Sequence, residues 1–302
     1  MTMSIVRAAV LGAGLALAAP SAFAVDYANP QLLIDAEALA EVLDAARQAG
    51  RSSDDRARVV LIDVRPAEAF EAGRIPGAVH LAPDAVADPG SPIEGELRPV
   101  DDIARMLGDL GVSADARVVL YDDKGGFHAA RMFWVLEYFG HRNAALLDGG
   151  VQAWERAGGA LMRSPADRPE PQAFSPALSP RRFASADWIM ERRRDAAATV
   201  VDVRPAAAYA AGHIPWAVNV PWSANLEADK TMKSADALIA HFAARGVTSE
   251  RAVVVHCQNG LASAHSYFAL RLIGHPDVRT YHRSWAEWGS AGDLPVATAQ
   301  DG

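Results

Sequence analysis

Cys257 is the only cysteine in a chain of 302 residues, and it lies where a reactive thiol is expected. It follows a short apolar run that ends at His256, and it precedes the tight segment 258–261 and a helical pattern that reaches Ile273. A sulfur atom between a buried strand and the start of a helix faces backbone N–H groups that have no partner within the helix. Such donors favour the thiolate, which is the nucleophilic form of cysteine. Most free cysteines are small buried apolar residues, but the position at a helix start favours a chemical role for Cys257.

The first residues have the pattern of an export signal. Arg7 supplies a short positive region, residues 8–19 form an apolar run too short to span a bilayer, and an A-x-A cleavage motif ends at Ala24. We therefore expect a signal peptide over residues 1–24 and a mature protein in the periplasm, rather than a protein held by an uncleaved anchor. No later stretch is long and apolar enough to cross a membrane. A single cysteine cannot form an internal disulfide in that oxidising compartment, so the thiol is either buried or kept for chemistry.

The composition argues against several classes of function. The formal net charge is −8, and no basic run is long enough to bind nucleic acid or a membrane surface. The nine histidines show no ligand spacing with Cys257 or with one another, so we expect no metal. The glycine-rich segment 123–126 lacks the spacing of a phosphate-binding loop, and we expect no cofactor.

The chain is organised as an internal repeat of two halves. Each half has an apolar strand that ends in Asp-Val-Arg-Pro, at Asp63 and Asp202, followed by an Ile-Pro motif, at Ile75 and Ile214. A second apolar strand, a loop, a helix and a tryptophan-containing segment follow in both halves. A repeat of more than about 100 residues indicates duplicated domains rather than a solenoid.

Short apolar strands that alternate with helical patterns predict an α/β fold in each half, with a central parallel sheet flanked by helices. Ligands bind at the carboxyl ends of the strands in such sheets, and Cys257 follows one of these ends. We place the first domain at residues 25–162 and the second at residues 182–302. Between them, residues 163–181 contain five prolines and predict an extended, semi-rigid linker.

These motifs, duplicated and in the same order, resemble those of the tandem-rhodanese sulfurtransferases, the thiosulfate and 3-mercaptopyruvate sulfurtransferase family. The resemblance runs from about Leu32 to Val296 and includes the segment 130–134, the Leu-Asp-Gly-Gly motif and the C-terminal Ser-Trp-x-Glu-Trp motif. It implies two rhodanese-like domains that face each other, with the site at their interface and only the second domain catalytic. Aligned on the second strand of each half, Asp122 stands where Cys257 stands. Because a carboxylate cannot carry a sulfane sulfur, the first domain is expected to be inert.

The resemblance also implies a double displacement. The Cys257 thiolate would take the outer sulfur of thiosulfate or 3-mercaptopyruvate and hold it as a persulfide. A small thiophilic acceptor such as cyanide, sulfite or a thiol would then remove that sulfur, and a thiol reductant protein is a candidate partner. The loop after the cysteine is expected to aim its backbone N–H groups at the anionic sulfur. The expected substrate-binding positions in this loop are Gln258, Asn259, Gly260, Leu261, Ala262 and Ser263.

Arg204 is the candidate for gripping an anionic donor. It matches the family's arginine in the second Asp-x-Arg motif, and arginine binds oxyanions through two parallel hydrogen bonds. The alternative is a structural pair between Arg204 and Asp202, which is the only role expected for Arg65 in the first domain. His256 is expected to point away from Cys257, because neighbouring residues of a strand face opposite sides of the sheet.

Several departures from the family's patterns leave the preferred sulfur donor open. Gln258 and Asn259 are neutral, whereas thiosulfate-preferring relatives often have basic residues there and mercaptopyruvate-preferring relatives usually have Gly-Ser. Ala262 replaces a frequent hydroxyl, so Ser263 either donates to the persulfide or caps the helix. The contributions of three more side chains stay open: His265, His282 and Arg283.

Two other functions use related folds. A phosphatase or arsenate reductase of this type needs a Cys-x5-Arg loop, but Ser263 stands six residues after Cys257. A sulfur carrier or binding protein that does not turn over is the second alternative, because a fold does not determine its function. The sequence favours the sulfurtransferase.

Overall fold

The computed structural model describes residues 26–48, 59–163, 169–193 and 197–298. The predicted signal peptide, residues 1–24, and its cleavage site lie outside these ranges. Within them, no helix is both long and apolar enough to cross a membrane.

The first domain is built around a parallel sheet of five strands. Its elements are, in chain order, β1 (Leu33–Ile34), α1 (Ala36–Gln48), β2 (Val59–Asp63), α2 (Ala67–Ala72), β3 (Val79–His80), α3 (Val100–Asp109), β4 (Arg117–Tyr121), α4 (Ala129–Tyr138), β5 (Ala144–Leu147) and α5 (Gly150–Arg156). The strands lie in the order β1-β5-β4-β2-β3, and every neighbouring pair is parallel.

The second domain repeats this arrangement around four parallel strands. Its elements are α6 (Ala186–Arg193), β6 (Ala198–Asp202), α7 (Ala206–Ala211), β7 (Val218–Asn219), α8 (Ala235–Ala243), β8 (Ala252–His256), α9 (Leu261–Leu272), β9 (Val278–Thr280) and α10 (Ser284–Trp288). The strands lie in the order β7-β6-β8-β9. Both sheets therefore confirm the predicted fold class, an α/β protein with two rhodanese-like domains.

The strands are continuous apolar runs because both faces of each sheet are covered. In β8, Val253 and Val255 join the cluster of buried side chains on one face, while Val254 joins the cluster on the other. Cys257 continues the first set, and His256 is on the face of the second. The prediction that His256 and Cys257 face opposite sides is therefore confirmed.

The two sheets are in equivalent register up to the ends of their second strands. Asp63 pairs with Tyr121 in the first domain, and Asp202 pairs with His256 in the second. The next residues along the chain are Asp122 and Cys257. The structure thus confirms that the carboxylate of Asp122 occupies the position equivalent to the thiol.

The domains face each other across α4 and α9. The rings of Phe133 on α4 and Phe268 on α9 meet edge to face with centroids 5.0 Å apart. Beside them, Arg271 of α9 donates to the buried carboxylate of Glu137 on α4 at 2.9 Å. This packing places the carboxyl end of β8 next to side chains of the first domain.

Two segments that lie outside the sheets are joined to the domains by backbone hydrogen bonds. Residues 169–179 contain no helix or strand, and the N–H of Ala177 donates to the carbonyl of Phe139 at 2.9 Å. At the other end of the chain, the N–H of Asn29 donates to the carbonyl of Leu272 at 3.1 Å. The residues just before β1 are therefore bonded to the second domain, although the sequence assigns them to the first.

Candidate active site

Cys257 lies between the end of β8 and the start of α9. Gly260 precedes the helix with φ +88°, a left-handed conformation that glycine adopts without steric cost, and its N–H donates to the Cys257 sulfur at 3.1 Å. The sulfur is thus at the N-terminus of a 12-residue helix, where the helix dipole favours an anion. The residue is only 2% exposed, so a substrate reaches the sulfur only through a narrow opening or after a local movement.

Two serine hydroxyls lie near the sulfur. Ser263 Oγ is 3.7 Å from the sulfur and Ser284 Oγ is 3.9 Å from it. The Ser284 hydroxyl also accepts from the N–H of Cys257 at 3.0 Å and donates to the carbonyl of Tyr281 at 2.8 Å. Its proton is therefore engaged elsewhere, whereas Ser263 lies inside α9, after the N-cap Gly260, and its Oγ accepts from the Cys257 thiol. Of the two roles left open for Ser263, the geometry favours the one at the sulfur.

Two carbonyl groups in the loop that carries Cys257 accept hydrogen bonds from donors outside that loop. The N–H of Trp285 donates to the carbonyl of Cys257 at 3.0 Å, and the N–H of Ala286 donates to the carbonyl of Gln258 at 2.9 Å. Both donors belong to the first turn of α10. Because these contacts turn the carbonyl dipoles away from the sulfur, the amide dipoles of the loop are left to face it.

Arg131 of the first domain contacts this loop, although no motif in the sequence assigned it a role. It lies on α4, is 3% exposed, and donates to the carbonyls of Gly260 at 3.1 Å and Gly95 at 2.7 Å. Burial lowers the pKa of Arg131 to about 10, and the nearby Cys257 and Glu96 oppose that decrease. The guanidinium therefore stays charged at neutral pH, and it lies near the thiol. The only hint in the sequence was its place in the family-like segment 130–134.

Arg204 is held in a structural pair. Its Nε and Nη2 atoms donate to the carboxylate of Asp202 at 2.6–3.1 Å, and Nη2 also donates to the carbonyl of Gly212 at 2.6 Å. Arg65 makes the same contacts with Asp63 in the first domain. The geometry favours the structural alternative for Arg204, and contact between Arg204 and a donor stays a prediction.

The loop positions after the cysteine differ in what they contact. Gln258 is exposed, and Asn259 donates through Nδ2 to the carboxylate of Glu94 in the first domain at 2.6 Å. Leu261 and Ala262 are half-buried in the first turn of α9. We call the solvent-exposed edge of the loop at Gln258 and Asn259 the mouth of the site, and Glu94 of the first domain contacts it.

His282 and Arg283 lie behind the loop and bind the same carboxylate. His282 Nε2 is 3.2 Å from Glu96 Oε1, and Arg283 pairs with the other oxygen of Glu96. Arg283 also donates to Glu287 at 2.9 Å. A side chain at Gly260 would overlap the His282 carbonyl, so these residues support the loop from the side away from the mouth.

The histidines near the loop are buried and neutral. Burial lowers the pKa of His256 and of His282, and it lowers the pKa of His265 to about 4. His265 Nε2 is 3.0 Å from the carbonyl of Gly125, so this ring links α9 to the equivalent loop of the first domain. In the described part of the chain, no hydrogen bond joins any of these rings to the Cys257 sulfur. They are packing and positioning groups.

In the first domain, the equivalent strand end and helix start bind a carboxylate from the same domain. The carboxylate of Asp122 accepts four backbone N–H groups at 2.7–3.0 Å, those of Lys124, Gly126, His128 and Ala129. A strand end followed by a helix start thus forms an anion site in both halves. In the first half a side chain fills that site permanently. Among the described residues, no group of His, Cys, Asp or Glu is placed to hold a metal ion.

Comparison with known proteins agrees with this geometry. A family model of the rhodanese-like domain matches residues 45–157 and 185–291. The chain belongs to the rhodanese-like family. It is 32% identical to the 3-mercaptopyruvate sulfurtransferase of Escherichia coli over 85% of this chain and 91% of that protein. It is 31% identical to the sulfur carrier protein TtuD of Thermus thermophilus over 91% of this chain and 99% of that one.

A solved structure supports the same assignment. The structure of SseA from Escherichia coli, reported for the rhodanese fold and mechanism of 3-mercaptopyruvate sulfotransferases, superimposes with a TM-score of 0.74 at 29% identity. The superposition covers 84% of this chain and 98% of that one. This rhodanese-family chain is a sulfurtransferase of the rhodanese type. The predicted family and enzyme class are therefore confirmed.

Proposed function

We propose that Cys257 is the residue that carries the transferred sulfur, as a persulfide. The observation that supports this most directly is the 3.1 Å hydrogen bond from the Gly260 N–H to the sulfur at the start of α9. The buried guanidinium of Arg131 adds a positive charge on the same side. Both groups stabilise an anionic sulfur, whether thiolate or persulfide.

The reaction proceeds by two displacements. The Cys257 thiolate attacks the outer sulfur of the donor, so an S–S bond forms while the donor's bond to that sulfur breaks and its electron pair leaves with the remainder. Thiosulfate releases sulfite in this step, and 3-mercaptopyruvate releases pyruvate after taking up a proton. Cyanide or a thiol then attacks the outer sulfur, and the Cys257 thiolate is restored. No external oxidant or reductant is consumed when cyanide is the acceptor.

The same proposal includes a location and a partner. The signal-like segment 1–24 supports export to the periplasm, with cleavage after Ala24. In that compartment a single cysteine has no second thiol in the chain to form a disulfide with. A thiol-containing reductant is the partner that such a site would need to release its sulfur there.

Sulfur loading and turnover test the catalytic proposal. Purified protein is mixed with thiosulfate or with 3-mercaptopyruvate, and loading is read as a mass increase of about 32 Da on Cys257. Cyanide is then added, and thiocyanate is measured. The conservative control, Cys257→Ser, should show neither the adduct nor thiocyanate. Thiocyanate production by Cys257→Ser, or no adduct with either donor in the wild type, would refute the assignment of Cys257.

A sulfur carrier is the second candidate, favoured by the similarity to TtuD and by the 2% exposure of the cysteine. A carrier takes up one sulfur and stalls until a protein partner removes it. With excess donor and cyanide, more than one thiocyanate per protein molecule supports the enzyme, and a single burst supports the carrier.

A further inference from the structure

We propose that Glu94 of the first domain selects sulfur donors by charge, so that the site favours uncharged or singly negative donors over dianionic thiosulfate. This inference rests on the proposed role of Cys257 and names the substrate class of that site. Glu94 lies 163 positions before Cys257 in the sequence, and it belongs to the other domain. Glu94 does not take part in the chemistry; its carboxylate acts on charged molecules that approach the sulfur.

Contact between Glu94 and the catalytic loop is direct. Glu94 Oε1 accepts from Asn259 Nδ2 at 2.6 Å, and Asn259 is the second residue after the cysteine. Glu94 is exposed, and in the described part of the chain no Lys, Arg or His forms an ion pair with it. Its negative charge is therefore not neutralised by a side-chain partner, and it lies at the mouth of the site.

The segment that carries Glu94 is held against the loop at two further points. Gly95 has φ +82°, its carbonyl accepts from Arg131 at 2.7 Å, and a side chain at this position would overlap the Asn259 backbone. Glu96 pairs with Arg283 behind the loop. We call residues 94–96 the acidic strap. Because the two residues that follow Glu94 are both held in place, its carboxylate has a defined place beside Asn259.

Carboxylates outnumber free positive charges around this mouth. Arg283 is shared between Glu96 and Glu287, so it has no spare charge to offer a donor. Arg131 donates to two carbonyls and is 3% exposed, so it acts on the sulfur itself and does not reach a molecule in the mouth. The loop residues next to Cys257 are neutral. An approaching anion thus meets the Glu94 charge without an accessible compensating cation from these groups.

Coulomb's law gives the size of the effect. At a separation of about 8 Å in a water-like dielectric, one charge pair changes a rate by about two- to threefold, and a dianion is affected about sixfold. Salt reduces both effects, because the Debye length is about 8 Å at an ionic strength of about 0.15 M. The substitution Glu94→Gln removes the charge and keeps an oxygen that can accept from Asn259.

Alkylation of the single cysteine measures this charge effect without any sulfur transfer. The second-order rates of iodoacetate, an anion, and iodoacetamide, a neutral molecule, are compared by mass spectrometry at low and high salt. In Glu94→Gln the iodoacetate rate should rise about two- to threefold at low salt, with the iodoacetamide rate unchanged. Glu68→Gln on α2 removes an exposed charge of the same sign and should leave the ratio of the two rates unaltered.

The donor comparison is the second measurement. Glu94→Gln should raise kcat/KM for thiosulfate about sixfold and for 3-mercaptopyruvate about two- to threefold, so their ratio shifts toward thiosulfate. An iodoacetate-to-iodoacetamide ratio equal to that of the wild type would overturn the proposal. If the wild type forms no persulfide, the catalytic role of Cys257 fails, and the alkylation ratio still decides whether Glu94 repels anions.

Discussion

Replacement of Arg131 by methionine tests whether the first domain activates a thiol in the second. Arg131 Nη1 is 3.1 Å from the Gly260 carbonyl, and the Gly260 N–H is 3.1 Å from the sulfur. The Gly260 residue separates these two contacts, so the guanidinium and the sulfur lie within about 9 Å of each other, where a charge pair is worth about 2 kcal/mol at an effective dielectric constant of about 20. Methionine fills similar space without the charge.

The expected result is a slower reaction with a neutral alkylating agent. A loss of about 2 kcal/mol of attraction for an anionic sulfur corresponds to a factor of about 30 in rate if the loss is felt in full. A less stabilised anion is also a stronger nucleophile, so about half of that loss in free energy is recovered. We therefore expect Arg131→Met to react with iodoacetamide about fivefold more slowly than the wild type at neutral pH.

The stability of the variant separates this effect from misfolding. Two carbonyls, those of Gly260 and Gly95, lose their donor, at about 1–3 kcal/mol each. Against this, burial that lowers the pKa of Arg131 to about 10 shows that the charged group itself costs about 3 kcal/mol. The net destabilisation should be about 3 kcal/mol or less, which urea unfolding can measure.

A conservative variant provides the matched control. Arg131→Lys keeps the positive charge but cannot hold both carbonyls with one planar fork. Its alkylation rate should fall between those of the wild type and Arg131→Met. If Arg131→Met is folded and reacts within twofold of the wild type, the inference that this arginine stabilises the anionic sulfur is refuted.

Three further changes have expected outcomes of known sign. Burial lowers the pKa of His265 to about 4, so the wild type loses stability as the pH falls from about 6.5 toward 4. The substitution His265→Gln should remove about 2–3 kcal/mol of that loss. Urea unfolding at pH 4.5 and at pH 7 measures the difference. Burial raises the pKa of Asp148 to about 6, so its contribution to stability is lost as the pH rises through that value. Asp148→Asn should accordingly stabilise the protein by up to about 3 kcal/mol at pH 7.5 and by little at pH 4, and an equal shift in Tm at both pH values would contradict this. Gly95→Ala should push the Asn259 backbone out of place and so distort the loop that carries Cys257, which lowers kcat/KM about tenfold or more, whereas Gly90→Ala, at a position without the left-handed φ, should have little effect.

Much of the architecture was predictable from local patterns. Continuous apolar runs at β4 and β8 predict strands covered on both faces, because alternate residues must join two different cores. The repeat has Asp122 in one half and Cys257 in the other. It therefore indicates that the two residues follow the equivalent strand in their respective domains. Such signals are short in range, so they can be read without knowing how the domains pack.

The role of Arg204 could not be predicted from local patterns. The Asp-Val-Arg-Pro motif occurs in both halves and is compatible with either substrate contact or a structural pair. Only the direction of the side chain distinguishes these roles, and the structure turns the guanidinium onto Asp202 and Gly212. Side-chain direction depends on the surrounding fold, which no local pattern in the chain specifies.

The amino-acid order thus determined the two parallel-sheet domains, the single cysteine and its place at the start of a helix. The tertiary structure decided which groups surround the sulfur: Arg131 and Glu94 from the first domain, and Ser284 from α10. Arg131 and Glu94 lie 129 and 165 positions from the loop residues that they contact, and Ser284 lies 27 positions from Cys257. They come together because α4 packs against α9, and contacts between domains leave no periodic pattern in the sequence.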